Sequence, residues 1–424
     1  MGLVKELMQT IEDRGFGLTD KYVCSGCVRD EYLVNKFIRP LGEYGQCNFC
    51  KNDKGSFVTH RKVYPLDKLM KEIMPAIDYY FMSAYENIPF DNETKEYIGN
   101  VITPGDFVND YLAEELKTDN TLLLDEMLRI LNFEDRASCF EYTDRRSNQD
   151  LKAWNKFVHF VNNCGSISVE EIISKSLGYR DSKEYEEIEK ILYTVLNNAR
   201  EMNTYSLINT GLPLYRCVNY LPSKECIDGE YIIKAKEVGT APKEFAASGR
   251  FNEKGDMMFY GASSPRIAKL EVGKKDGNPF TIGEFHTNKR IKVLDLSGIP
   301  EWRCPSAFDL EQESIEKRES FFFLNRFIDN ISKPVNDRSG LLAEQYYKPI
   351  QVFMKYIKQM TGLYGIKYRS TKSTCNSNNS KCPFDLCYVL FAEYEDCYDE
   401  RDYYNKLNKR KGLQLFMTKV WQED

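Results

Sequence analysis

The spacing of apolar residues changes near residue 206, and the change divides the chain into two parts. From about Tyr64 to Tyr205, apolar positions recur at threes and fours, which places them on one face of an α-helix. This spacing runs through LDKLMKEIMPAIDYYFMSAY, LLLDEMLRILNF, LKAWNKFVHFV and YEEIEKILYTVLNNAR. The pattern predicts a helical bundle, in which Asn120 caps a helix start and the stripe Trp154, Phe157 and Phe160 belongs to the core.

After Ser206 the pattern becomes one of short apolar runs that are separated by glycine and proline, which is typical of strands. The runs are LPLYRCV, MMFYGA, IKVLDL and FDLCYVLF. A single long amphipathic helix, roughly Ala343–Gln359, interrupts them. The second part is therefore predicted to be a mixed α+β domain.

Two C-x-x-C pairs precede the helices. Cys24 and Cys27 form the first pair, Cys47 and Cys50 form the second, and 19 residues separate them. Each pair turns two thiolates to one side, and two such pairs close a Cys₄ zinc site that has no open position for substrate. The spacing predicts a structural zinc knuckle rather than a catalytic metal.

These features give four predicted ranges, and the overall fold class is α+β. The ranges are a zinc knuckle region at 1–62, a helical bundle at 63–205, a mixed α+β domain at 206–405 and a C-terminal tail at 406–424. A chain of 424 residues is long enough for two or three domains.

Composition and charge narrow the function. The chain is 42% hydrophobic and 29% charged, with a net charge of -6, and this balance argues against non-specific wrapping of nucleic acid. Nucleic-acid binding at the knuckle stays an alternative, although a solvated surface is the more usual role of such basic residues. The basic residues concerned are Arg29, Lys36, Arg39, Lys51 and Lys54.

The sequence has no run of about 18 apolar residues and no apolar core of a signal peptide near its start. We therefore expect a cytoplasmic protein that has no membrane partner. Its three histidines and the absence of G-x-S-x-G, Walker, G-x-G-x-x-G and H-E-x-x-H motifs disfavour serine hydrolases, P-loop enzymes and zinc proteases.

The second part contains an ordered series of short motifs. The series begins with LYR, ending at Arg216, and continues with SGRFNxxG, which contains Arg250 and Asn252. It then includes MMFY, ending at Tyr260, and SSPRIAKLEV, which contains Glu271. YKPIQ on the long helix and LYGIKYRS, ending at Ser370, complete it.

From about Pro213 to Glu395 this order resembles the RES family, which is named for an arginine, a glutamate and a serine. The resemblance implies an ADP-ribosyltransferase-like fold and an enzyme that attacks NAD⁺, as in bacterial toxins that deplete it. It assigns catalytic roles to Arg216, Glu271, Ser370 and Tyr260. It assigns NAD⁺ binding to Arg216, Arg250, Tyr260 and Asn252.

The residue types suit this chemistry. Breaking the bond between ribose and cationic nicotinamide passes through an oxocarbenium-like transition state, as in glycoside hydrolysis. Arg216 and Arg250 can grip the pyrophosphate, Tyr260 can lie against the nicotinamide ring, and Glu271 can stabilise the growing positive charge. Ser370 can either bind the ribose or hold Glu271. Taken singly, each residue also has an ordinary structural explanation.

The first part is similar to a HEPN-like RES N-terminal domain. Nucleolytic HEPN domains carry an arginine four to six residues before a histidine, whereas His159 follows Lys152 and Lys156, and the nearest upstream arginine is Arg146. We therefore expect the helices to regulate or to sense rather than to cleave RNA.

Three functions remain. The first is an NAD⁺ glycohydrolase or phosphorylase-like enzyme, a toxin or anti-phage effector that an antitoxin or a phage-derived activator controls. The second is an ADP-ribosyltransferase that modifies a protein or nucleic acid. The third is a non-enzymatic zinc-knuckle binding module whose RES-like half has degenerated.

Overall fold

A computed structural model shows a chain of two compact units. The first comprises Met1–Arg145 and Cys304–Glu319, and the second comprises Arg146–Arg303 and Ser320–Asp424. The structure describes residues 8–11, 13–51, 60–84, 88–94, 96–98, 101–131, 140–142, 145–163, 183–219, 222–227, 230–273, 279–332, 343–372, 385–405 and 412–423.

The first unit combines the knuckle with helices. Its three-stranded antiparallel sheet has the order β1-β3-β2. Its strands are β1 (Tyr22–Cys24), β2 (Glu43–Gly45), β3 (Arg61–Pro65), β4 (Phe81–Ser83), β5 (Phe90–Asp91), β6 (Glu96–Tyr97) and β7 (Phe140–Tyr142). Its longer helices are α1 (Leu66–Tyr80) and α2 (Thr121–Ile130), and shorter helical turns lie at 31–41 and 104–115.

One hydrophobic core joins the knuckle to the helices of this unit. Cys24, Cys27 and Cys47 belong to it together with Leu69 of α1 and Met127 of α2. The knuckle therefore packs with the helices that follow it, and the boundary between residues 62 and 63 stays a prediction. Sharing a core gives this short knuckle the apolar burial that so small a segment lacks on its own.

The second unit contains long helices and a large sheet. Its helices are α3 (Arg146–Asn163), α4 (Lys183–Glu201), α5 (Pro265–Val272), the part of α6 (Gln312–Ser332) from Ser320 onward, and α7 (Ala343–Met360). The predicted helix at Ala343–Gln359 is confirmed as α7. Helices α1 and α2 lie in the first unit and α3 and α4 in the second, and the domain at 63–205 stays a prediction.

Aromatic side chains join three of these helices. Trp154 of α3 lies edge-on to Phe327 of α6 at 4.8 Å and to Phe353 of α7 at 6.2 Å between ring centroids. Trp154 and Phe157 are buried, as the stripe predicts, while Phe160 is half-buried. Such edge-to-face pairs add specific geometry to the hydrophobic gain.

The sheet of the second unit has nine strands in the order β17-β18-β13-β9-β12-β16-β15-β14-β8. Pairs β14/β15 and β17/β18 are parallel and the other pairs are antiparallel. The members are β8 (Tyr205–Ile208), β9 (Leu214–Val218), β12 (Phe259–Ala262), β13 (Phe280–Thr287), β14 (Ile291–Leu296), β15 (Gly365–Arg369), β16 (Leu386–Leu390), β17 (Cys397–Asp399) and β18 (Leu415–Glu423). A separate hairpin pairs β10 (Lys224–Ile227) with β11 (Glu230–Ile233).

The mixed sheet confirms the predicted α+β class, and each of the four predicted apolar runs contains a strand. The segment 406–424, predicted as a tail, includes β18, which pairs with the whole of β13. Among the helices that the structure describes, none combines the length and the apolar character needed to cross a membrane.

We expect Trp154→Ala to lower the free energy of unfolding by about 3–5 kcal/mol, because it removes a large side chain that is 3% exposed at a junction of three helices. Trp302→Ala is the matched control, since Trp302 is 72% exposed, and we expect a change within about 0.5 kcal/mol. Urea unfolding followed by circular dichroism measures both. Equal midpoints for the two variants would contradict the packing role.

Candidate active site and metal centre

A cavity of about 470 Å³ opens where the nine-stranded sheet parts. Strands β9 and β12 are neighbours in that sheet, but their ladder has a single residue pair, Tyr215 with Ala262. The strands therefore diverge, and side chains rather than backbone hydrogen bonds fill the space between them. The volume is within the usual range for small-molecule sites.

Arg216 bridges this gap. Its Nη1 donates to the carbonyl oxygen of Tyr260 on β12 at 3.1 Å, and its Nε donates to the carbonyl oxygen of Val238 at 3.0 Å. Its guanidinium also lies 5.6 Å from the ring centroid of Phe259. These contacts fix a permanent positive charge at the cavity wall.

Arg250 enters the cavity from a tight turn at 249–256. An added Cβ at Gly249 would lie 2.8 Å from Asn252 Oδ1, and Gly255 has a φ of +88°, so the turn needs glycine at both positions. The Arg250 guanidinium lies 5.9 Å from the ring centroid of Phe251 and 5.8 Å from that of Tyr347. Aromatic rings thus hold the second cation of the site.

Tyr260 lines the cavity while its hydroxyl group is bound behind it. The hydroxyl donates to Asn252 Oδ1 at 2.6 Å. Burial raises the pKa of Tyr260, so the phenol stays protonated as that donor. Asn252 is 5% exposed, and its Nδ2 donates to the carbonyl oxygens of Ala247 and Glu253 at 2.8 and 2.9 Å.

Glu271 lies in the last turn of α5, which begins at Pro265 and is capped by the Ser264 hydroxyl. Its Oε1 accepts a hydrogen bond from Ser370 Oγ and lies 3.6 Å from Cys387 Sγ. Its backbone oxygen accepts from Lys372 Nζ at 2.5 Å. Residues from two neighbouring strand ends, those of β15 and β16, therefore fix one carboxylate oxygen.

The two cysteines at the cavity are not poised as nucleophiles. Burial raises the pKa of Cys217 to about 12. Burial also raises the pKa of Cys387, and the negative charge of Glu271 raises it further. Both thiols are protonated at neutral pH, and it is the thiolate that reacts.

The structure brings most of the predicted residues together. Arg216, Arg250, Tyr260 and Glu271 line the cavity. Ser370 lies behind Glu271, 8% exposed, so of its two predicted roles the contacts favour holding Glu271. Asn252 does not line the cavity, and its amide is bound within the turn instead of facing a ligand.

Other lining residues have no role predicted from the sequence. They include Tyr347, Tyr368, Lys372 and Cys387. Tyr347 begins the YKPIQ motif and Lys372 lies two residues after Ser370, so the sequence signals these two residues by their proximity to a motif. Nothing in the alternation of GIKYRS or FDLCYVLF singles out Tyr368 or Cys387.

The four knuckle cysteines form a separate cluster in the first unit. All four sulfur atoms lie within 4.8 Å of one another, and the distance between Cys27 Sγ and Cys47 Sγ is 3.8 Å. Zinc–sulfur bonds of about 2.3 Å place thiolates at about this separation. The cluster is therefore compatible with a zinc knuckle.

Groups around the cluster favour bound thiolates. Asn120, which caps α2 as predicted, donates through Nδ2 to Cys27 Sγ at 3.5 Å and to the Phe49 carbonyl at 3.0 Å. Arg61 Nη1 lies 3.7 Å from Cys50 Sγ. Burial raises the pKa of Cys50 to about 11, and a bound metal cation would favour the ionised thiolate there.

His159 on α3 is exposed, with its Nε2 2.9 Å from Asn163 Nδ2. Arg146 lies on the first turn of the same helix and donates to Glu201 at 3.0 Å. The two residues are thirteen positions apart on one helix. These contacts give Arg146 a structural role within the second unit.

Family models match two parts of the chain. Residues 41–164 match HEPN/RES N-terminal domain 1, and residues 225–406 match the RES domain. No curated protein and no solved structure matches the chain. The predicted resemblance is confirmed, and the pairing of these two domains implies a toxin-like module whose chemistry involves NAD⁺.

We expect Cys24→Ser to lower zinc content and the thermal midpoint together, because removing one ligand opens a shell whose binding energy contributes to folding. Cys304→Ser, in the same unit but outside the cluster, should retain its zinc. Metal analysis and thermal unfolding of both proteins test this. A metal-free Cys24→Ser protein with the unchanged thermal midpoint would rule out a structural zinc site.

Proposed function

We propose that the RES domain of this chain cleaves the bond between nicotinamide and ribose in NAD⁺. The bond electrons leave with nicotinamide, which becomes neutral, and water or phosphate adds to C1″ of the ribose that carried nicotinamide and loses a proton. The observation that carries the proposal is the convergence of two arginines, one tyrosine and one held carboxylate on a single cavity.

Arg216 and Arg250 supply the positive charge that a pyrophosphate requires. Backbone carbonyls hold Arg216 and aromatic rings hold Arg250. Neither kind of contact neutralises the guanidinium charge. Guanidinium groups match phosphate oxygens through planar donors. The pyrophosphate is charged throughout the reaction, so these residues act chiefly on binding.

Glu271 is assigned to the reacting sugar. Its Oε1 is bound by Ser370, so the carboxylate is oriented before substrate arrives. Fixed charge of this kind stabilises an oxocarbenium-like transition state without the cost of reorganisation. Nicotinamide leaves as a neutral molecule, so the step needs no general acid.

The Cys₄ cluster is assigned to structural zinc, and the N-terminal domain to regulation. An enzyme that removes NAD⁺ stops growth when it acts without restraint. We therefore place an antitoxin or an activating protein, such as one of phage origin, among the expected partners.

The direct test is to incubate the purified protein with NAD⁺ and to follow nicotinamide release by chromatography, with and without phosphate. ADP-ribose as product identifies water as acceptor, and ADP-ribose 1″-phosphate identifies phosphate. Release that occurs only when a protein or nucleic acid is added would favour ADP-ribosyl transfer. No release under any of these conditions would contradict NAD⁺ cleavage.

We expect Glu271→Gln to lower kcat by about 10²–10³-fold while NAD⁺ binding changes little, because the carboxylate acts on charge that develops in the transition state. Arg216→Ala should instead weaken NAD⁺ binding. Nicotinamide release and calorimetric titration with NAD⁺ separate the two effects.

The matched control is Glu225→Gln, which changes an exposed carboxylate that pairs with Lys234 outside the cavity. This variant should keep the wild-type rate. Wild-type turnover by Glu271→Gln would refute the assignment of Glu271.

A further inference from the structure

Helix α7 contacts the Arg250 turn through one stripe of side chains. Tyr347, Gln351 and Lys355 follow one another at intervals of four residues, so they share one face of the helix. Tyr347 lies against Arg250 itself. The other two reach the backbone and the acidic side chains of the turn.

Gln351 binds the two ends of a backbone bridge. Its Nε2 donates to the carbonyl oxygens of Gly249 at 2.7 Å and Asn252 at 3.0 Å. Gly249 N also donates to the Asn252 carbonyl oxygen at 2.9 Å. Gln351 is 3% exposed, so its amide is committed to these acceptors on both sides of Arg250.

Lys355 closes the far end of the turn. Its Nζ lies 2.9 Å from Glu253 Oε2 and 3.3 Å from Asp256 Oδ2. Lys355 is 7% exposed. Losing a buried lysine while its two carboxylates remain would leave their negative charge uncompensated.

We propose that Gln351 and Lys355 are positioning residues that hold the Arg250 guanidinium at the cavity. Neither lines the cavity, so both act on substrate only through the turn. The inference rests on the proposed function for its kinetic consequence, but its structural consequence can be measured without turnover.

The variant Lys355→Met keeps the stem and removes the charge, and Lys355→Arg restores the charge. Lys358→Met is the matched control, because Lys358 is exposed on the same helix. We expect Lys355→Met to raise KM for NAD⁺ by roughly 10–100-fold with a smaller change in kcat, since misplacing a binding group by about 1 Å costs this much. Lys355→Arg should recover most of the affinity.

A double-mutant cycle with Arg250→Ala decides whether Lys355 acts through Arg250. In the Arg250→Ala background, Lys355→Met should raise KM by less than twofold, because the group that it positions is already absent. A full additive effect in that background would overturn the proposal, and so would a KM for Lys355→Met equal to that of Lys358→Met.

Hydrogen exchange of peptides covering 249–256 provides the readout that is independent of activity. We expect faster exchange in Lys355→Met, and in Gln351→Met as a second variant, than in Lys358→Met. Equal exchange would overturn the positioning role even if the wild type released no nicotinamide. If the wild type released no nicotinamide but exchange at 249–256 was faster in these variants, only the proposed function would be contradicted.

Discussion

The parting of β9 from β12 is the constraint on which the candidate active site depends. A buried carbonyl needs a donor, and where two strands diverge the ladder no longer supplies one. Arg216 provides it for Tyr260, from a side chain on the opposite strand. Arg216 therefore supplies a donor to a carbonyl that the diverging ladder leaves without one, and it also brings a cation to the cavity. A substitution at this position would change the sheet and the binding chemistry together.

The part of the site that contains Glu271 also depends on the divergence of β9 and β12. Strands β15 and β16 continue in register on the far side of it, and their ends bring Ser370 and Cys387 to Glu271 on α5. Because the carboxylate is fixed by residues at the ends of a continuous ladder, the rigid part of the sheet orients the group assigned to the reacting sugar.

The sequence predicted what is decided locally. Periodicity and short intervals are local features of the sequence. They predict strand runs such as IKVLDL, the helix at Ala343–Gln359 and the Cys₄ site, and all of these have counterparts in the structure. Register and strand order depend on distant pairing, so neither the break beside Arg216 nor the place of β18 beside β13 could be predicted. Asn252 is a second example. Its motif predicts a turn, but it does not predict that the Asn252 amide binds backbone carbonyls within that turn.

The aromatic contacts among Trp154, Phe327 and Phe353 limit the positions at which an N-terminal segment could be exchanged. Helix α3 lies in the stretch matched by the N-terminal family model, yet it shares a core with helices that belong to the C-terminal half. A recombination event that joined a new N-terminal segment at residue 164 would separate Trp154 from the rings it packs against. Exchange of N-terminal segments is therefore expected to favour crossover points before residue 146, because helix α3 then stays with the helices that it packs against.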